Sequence, residues 1–191
     1  MQFAPGAYYH MFNRGAARQS IFRDDDNYLF VLRRMKQYAA ELNVKVIAYC
    51  LMPNHYHWLV RQDGPEAAGL LPQRVFNSYT KAFNKRYNRT GTLFETRFKC
   101  KLVDNDVYLK HLCRYIHANP VRDGFAAAPE LWPYSNYLEW IGERPGKLFD
   151  PAFVERHFPQ RESYREFVYD YLSGSSQLPE QLLAYLRGLY T

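Results

Sequence analysis

The stretch VKVIAYCLMPNHYHWLVR, residues 44–61, decides the fold. Val44 to Leu51 is apolar and rich in β-branched residues and reads as one strand; Met52-Pro53-Asn54 breaks it, and His55 to Arg61 reads as the next. A break this short makes the two strands antiparallel neighbours. Residues two apart on a strand share a face, so Tyr56, Trp58 and Val60 form an apolar side, and His55 and His57 together occupy the other.

Upstream, the aromatic run Ala7 to Phe12 predicts a strand ended by Asn13-Arg14-Gly15. Asp24 to Asp26 offer caps for a helix in which Tyr28, Val31, Leu32, Met35, Tyr38 and Ala39 recur at helical spacing up to about Leu42. Downstream, the turn Asp63-Gly64-Pro65 leads to a helix over 72–87, striped by Val75, Phe76, Tyr79, Phe83 and Tyr87. Phe98 to Val103 predicts a fourth strand, and Asp104 to Asp106 cap a third helix expected to stop near Asn119, because Pro120 follows. The order βαββαβα is that of an α+β, ferredoxin-like antiparallel sheet with helices packed on it. Residues 1–124 are expected to form the catalytic domain. Beyond Gly124 the text turns to Pro, Gly and aromatic residues and then to helices over 151–157, 163–172 and 179–189, so 125–191 is expected to be a mostly helical extension packed on the domain, covering a sheet edge or meeting a bound ligand. No internal repeat is present.

A chain of 191 residues with 47% hydrophobic content supports one core plus that extension. Lys and Arg outnumber Asp and Glu by 25 to 19, for a net charge of +6, which favours an anionic partner. Seventeen Tyr and thirteen Phe interleaved with basic residues suit stacking on single-stranded nucleic acid, although any one ring is better explained by core packing. Cys50, Cys100 and Cys113 show no disulfide pattern, and neither a signal peptide nor a run of ~20 apolar residues is found, so a cytoplasmic chain that does not enter a membrane is expected.

Two imidazoles on one strand face can hold one metal ion, or can simply be hydrogen-bonded surface histidines. The third helix supplies possible company. Leu109, Leu112, Cys113 and Ile116 define its buried stripe, while Tyr115 and Asn119, four apart, project roughly 100° from that stripe on the side of Tyr108 and His111. Tyr115 is then a nucleophile or an ordinary rim tyrosine, and Asn119 a third metal ligand or a helix cap. His10, His111 and His117 are either supporting groups near such a site or structural.

The run Met52-Pro53-Asn54-His55-Tyr56-His57-Trp58-Leu59-Val60, followed by Tyr108-Leu109 and by Arg114-Tyr115-Ile116-His117-Ala118-Asn119-Pro120-Val121-Arg122-Asp123-Gly124, resembles the single-tyrosine HUH transposases, and among them the REP-associated tyrosine transposases. Tyr9 to Gly15 and Phe94 to Lys99 belong to the same resemblance, which covers about residues 7–141. It implies that His55 and His57 are the metal-binding pair, Tyr115 the nucleophile and Asn119 the third ligand. It also implies cleavage and rejoining of single-stranded DNA hairpins through a 5′-phosphotyrosine and a free 3′-hydroxyl, with Mg²⁺ or Mn²⁺ and no nucleotide cofactor. The chemistry is coherent: a phenol with a pKa near ~10 is a weak nucleophile at neutral pH, so a cation has to polarise the phosphate.

Arg74, Lys81, Lys85 and Arg89 on the second helix, Arg97, Lys99 and Lys101 along the fourth strand, and Arg14 and Arg18 after the first are the expected DNA-binding residues, each alternatively part of a solvated basic face. Two other functions compete. A metal-dependent nuclease would activate water and leave no covalent adduct; a nucleic-acid-binding module would cut nothing. A nucleoid-associated monomer is expected, given the long extension.

Overall fold

The computed structural model describes residues 2–189; Met1 and the last two residues of the expected extension, Tyr190 and Thr191, lie outside the described residues. The elements run β1 (Tyr8–Arg14), α1 (Asp25–Glu41), β2 (Val44–Met52), β3 (His55–Gln62), α2 (Leu70–Arg86), β4 (Lys99–Val103) and α3 (Asp106–Arg122), then α4 (Tyr137–Trp140), α5 (Pro151–His157), α6 (Arg161–Leu172) and α7 (Glu180–Arg187). The sheet order is β2-β3-β1-β4, with every neighbouring pair antiparallel. β3 lies between β1 and β2, the strands that α1 joins. That is the split βαβ arrangement expected from the sequence. Local chemistry fixes the helix starts: Asp24 accepts from Asn27 N at 3.1 Å, Asn105 from Tyr108 N at 2.9 Å and Asp150 from Phe153 N at 3.3 Å.

The alternation in β1 and β3 sorts side chains to two covered faces. Tyr9, Met11, Tyr56, Trp58 and Val60 pack with Val31 and Met35 of α1 and Val75 and Tyr79 of α2. Phe12 and Leu59 pack on the other side with Leu109, Leu112, Cys113 and Ile116 of α3. The same core continues into Trp140, Tyr164, Val168 and Leu182 of α4, α6 and α7. Segments beyond Gly124 are therefore packed against α3 and the sheet. A register shift between Val46 and Ala48 interrupts the β2 ladder at Ile47. The Ile47 carbonyl is satisfied from the extension instead, accepting from Trp140 Nε1 at 3.0 Å and Asn136 Nδ2 at 2.9 Å.

Two expectations for α3 need correction. The helix does not stop before Pro120 but continues to Arg122. Proline in the last turn gives up one bond, to the Ile116 carbonyl, and the Pro120 carbonyl in turn accepts from Phe125 N at 2.8 Å, closing the helix. Nor are Tyr115 and Asn119 on an open flank, for both are buried. Helices α6 and α7, distant in sequence, meet α3 elsewhere on its surface, Phe167 against His111 and Tyr185 against Tyr108.

Candidate active site

His55 opens β3 straight after the Pro53-Asn54 turn, and that turn is pinned from β1 and the segment after it. The Asn54 carbonyl accepts from Gly15 N at 2.8 Å, and the Pro53 carbonyl accepts from Ile21 N at 2.7 Å and Phe22 N at 3.0 Å. His55 Nδ1 lies 2.7 Å from Asn54 Oδ1. Two residues on, the His57 ring lies nearly parallel to those of His10 (centroids 5.1 Å, planes 12° apart) and Phe12 (5.4 Å, 12°). The His55 and His57 rings stand nearly perpendicular at 5.3 Å.

Helix α3 supplies the facing wall. The Tyr115 ring meets His57 edge-on, with centroids 5.5 Å apart and planes at 82°. One turn later Asn119 is buried, its carboxamide nitrogen lacking a hydrogen-bond partner among the described residues. Arg122 Cζ lies 5.7 Å from the Tyr115 ring centroid, and Asp123 Oδ2 lies 3.7 Å from His55 Nε2. The wall thus carries a phenol, an amide, a cation and a carboxylate on one side of the helix.

Burial decides the charge state of the imidazoles. Desolvation, helped by Arg14, brings His55 down to about 4, and desolvation with the neighbouring His10 and His55 holds His57 well below 6.5. Both rings are neutral at pH 7, so the 3.7 Å approach of Asp123 to His55 is not an ion pair there. Burial pushes the Asp123 carboxyl upward. Two neutral imidazoles are what a metal ion requires of histidine ligands.

The basic candidates divide. Arg18, Lys81, Lys85 and Arg97 are exposed, and Arg18 sits at φ 57°, a left-handed conformation uncommon for a non-glycine residue. Arg14 is ion-paired with Glu95 at 2.9 Å, Arg74 lies 3.7 Å from Glu41, and Arg89 donates to Gln19 Oε1 at 3.0 Å. Lys99 donates to the Leu189 carbonyl at 3.3 Å, and Lys101 Nζ lies 4.0 Å from the Tyr185 ring centroid, so both meet the region of α7. His10 bonds with His57, whereas His117 is enclosed by Tyr164 and Asn136 and His111 lies against Phe167, both structural positions. Arg122 and Asp123 were not singled out as site residues from the sequence; their signal was the i+7 and i+8 spacing from Tyr115, two turns along one helix.

Residues 4–119, more than half of the chain, match the family model described as Transposase IS200 like. The chain belongs to the IS200-like transposase family. A protein of Haemophilus influenzae provisionally named a REP-associated tyrosine transposase is 30% identical over 113 residues, 53% of this chain and 64% of its own length. The chain therefore spans just under two thirds of that relative. Among solved structures, a REP-associated tyrosine transposase bound to a REP hairpin superposes with a TM-score of 0.64 at 15% identity, covering 78% of this chain and 92% of that one. At that identity the likeness establishes the shared fold. Both relatives bear the name of the group that the motifs resemble, and among the described residues no helix of this transposase is long and apolar enough to cross a membrane.

Proposed function

We propose that this transposase cleaves and rejoins single-stranded DNA at REP-like hairpins, with Tyr115 as nucleophile and His55, His57 and Asn119 holding a divalent cation, Mg²⁺ or Mn²⁺. The observation that carries the reading is the approach of Tyr115 to His57, edge to face at 5.5 Å, one turn from the buried amide of Asn119. The donor set fits a cation. Both imidazoles are neutral and each Nδ1 is held by a protein partner, Asn54 for His55 and His10 for His57, and Nε2 is the nitrogen we assign to the cation. Among the described residues no three His, Cys, Asp or Glu side chains form a metal-binding group. The third donor we assign is the amide oxygen of Asn119, on a buried side chain one turn from Tyr115.

When bound, the cation polarises the scissile phosphate and offsets the charge that grows on its oxygens. The Tyr115 hydroxyl oxygen then bonds to phosphorus as the phenolic proton leaves, the P–O3′ bond breaks, and the strand departs with a free 3′-hydroxyl. The 5′-phosphate stays on Tyr115. Attack by a 3′-hydroxyl on that linkage releases the tyrosine and restores a phosphodiester, so no nucleotide is consumed. Arg122 places a positive charge over the Tyr115 ring, 5.7 Å from its centroid. Exposed Arg18, Lys81, Lys85 and Arg97 are the proposed phosphate contacts, with residues 1–124 as the catalytic unit of a cytoplasmic, nucleoid-associated monomer.

The test is incubation with Mn²⁺ and a labelled hairpin oligonucleotide, resolved on a denaturing gel. A covalent adduct that disappears in Tyr115→Phe is expected. Cleavage that survives Tyr115→Phe without an adduct would instead identify a nuclease using water, and no cleavage with retained binding would identify a binding module.

A further inference from the structure

Behind His57 runs a chain of polar groups that the transfer chemistry does not use. His57 Nδ1 lies 3.0 Å from His10 Nε2, and His10 Nδ1 lies 2.9 Å from the Tyr185 hydroxyl oxygen. His10 is fully buried on β1, and Tyr185 comes from α7, at the far end of the chain. Tyr185 is itself held: its ring centroid is 4.0 Å from Lys101 Nζ, and Lys101 pairs with His10 in the β1–β4 register. Both rings are fully buried, which disfavours the charged form, so each carries one N–H. Two neutral rings joined nitrogen to nitrogen share one hydrogen, and which ring supplies it decides whether His57 Nε2 is a lone pair or an N–H.

We propose that His10 and Tyr185 are positioning residues for the metal-binding histidine: His57 Nδ1–H donates to His10 Nε2, His10 Nδ1–H donates to the Tyr185 oxygen, and His57 is thereby fixed in the tautomer that keeps its hydrogen on Nδ1 and its lone pair on Nε2. The inference rests on the ligand role proposed above for His57. An imidazole in this place, rather than the more usual carboxylate, orients the ligand without adding negative charge. The cation keeps its full pull on phosphate. The relay also explains why α7 is packed against the site side of the sheet: it brings the last acceptor.

The test has two parts. In cation-free, full-chain protein, ¹⁵N–¹H spectra of labelled histidines are expected to show His57 and His10 both protonated on Nδ1; a proton on His57 Nε2 overturns the proposal. Mn²⁺ binding is then followed by electron paramagnetic resonance without DNA. His10→Phe is expected to weaken it about ten- to hundred-fold, His10→Gln, which restores an acceptor, to recover most of the loss, and Tyr185→Phe to weaken it only where His10 is present. Wild-type affinity in folded His10→Phe, alongside lost binding in His57→Ala, sinks the relay while leaving the ligand role of His57 intact. Undiminished binding in His57→Ala sinks that role itself. The spectra read the wild-type chain and so do not depend on any variant folding.

Discussion

The guanidinium of Arg114 donates to the Gln177 carbonyl at 2.6 Å, tying the middle of α3 to the segment that leads into α7. It also donates to Ser176 Oγ at 2.8 Å and lies over the rings of Phe167 and Tyr171 at 4.3 and 5.1 Å. Arg114 is fully buried, so its charge is tolerated only because oxygens and ring faces surround it. Arg114→Met keeps much of the volume and removes every donor, leaving the Gln177 carbonyl unpaired. A loss of about 2–4 kcal/mol in urea unfolding is expected. A change under ~0.5 kcal/mol would show that the tie contributes nothing net.

Acid should unfold this protein through its histidines. Burial brings His10 to about 3, His55 and His117 to about 4, and His57 well below 6.5, whereas all four titrate near 6.5 once the chain unfolds. Between those values the unfolded chain binds protons that the folded chain refuses, so stability is fully present above pH ~6.5 and falls as the pH drops towards 4. Each histidine contributes a slope of at most about 1.4 kcal/mol per pH unit within its window. Urea midpoints measured at pH 8, 6.5, 5.5 and 4.5 with chelator present should fall slightly between the first two, where the unfolded histidines become half protonated, and then steeply; equal midpoints at 6.5 and 4.5 contradict the burial argument.

The parts of this molecule that depend on neighbours in sequence were readable from it. Alternation in 55–60 sent Tyr56, Trp58 and Val60 to one core and the two histidines to the other side, because a strand's faces are set by parity alone. The α3 stripe of Leu109, Leu112, Cys113 and Ile116 was equally local. What stayed hidden depends on chain returning from a distance. Nothing near Tyr115 or Asn119 announces that both will be buried, and the alternation of Lys99 and Lys101 gives no sign that residues near α7 will engage both. His10 stood in the motif, but its partner Tyr185 is one tyrosine among seventeen, so composition had no means of selecting it.

Gly15 is required by close approach rather than by backbone conformation, its φ being an ordinary −60°. A Cβ there would come within 2.2 Å of the Gln19 carbonyl oxygen and 2.9 Å of Ile21 Cγ2, while its own N–H holds the Asn54 carbonyl at 2.8 Å. Gly15→Ala therefore pushes on the loop that pins the turn before His55. A destabilisation of about 1–3 kcal/mol is expected, as for other overpacked sites, with weaker adduct formation at temperatures where the variant is still folded. An unchanged thermal midpoint would mean that the loop yields freely.

Asn119 sets stability against function. Its carboxamide nitrogen is buried without a hydrogen-bond partner among the described residues, a burden of about 1–3 kcal/mol for such a group. Leucine has nearly the same shape and no polar atoms. Asn119→Leu should then be as stable as the wild type or more so in chelator, while Mn²⁺ affinity and adduct formation fall together. The two quantities must move in opposite directions for the amide to be a ligand kept at a structural cost. If Asn119→Leu unfolds more easily by over ~2 kcal/mol, the amide is instead a satisfied part of the core; if it is stable and still forms adduct at the wild-type rate, the third ligand lies elsewhere, and Asp123, 3.7 Å from His55 Nε2, is the side chain to substitute next.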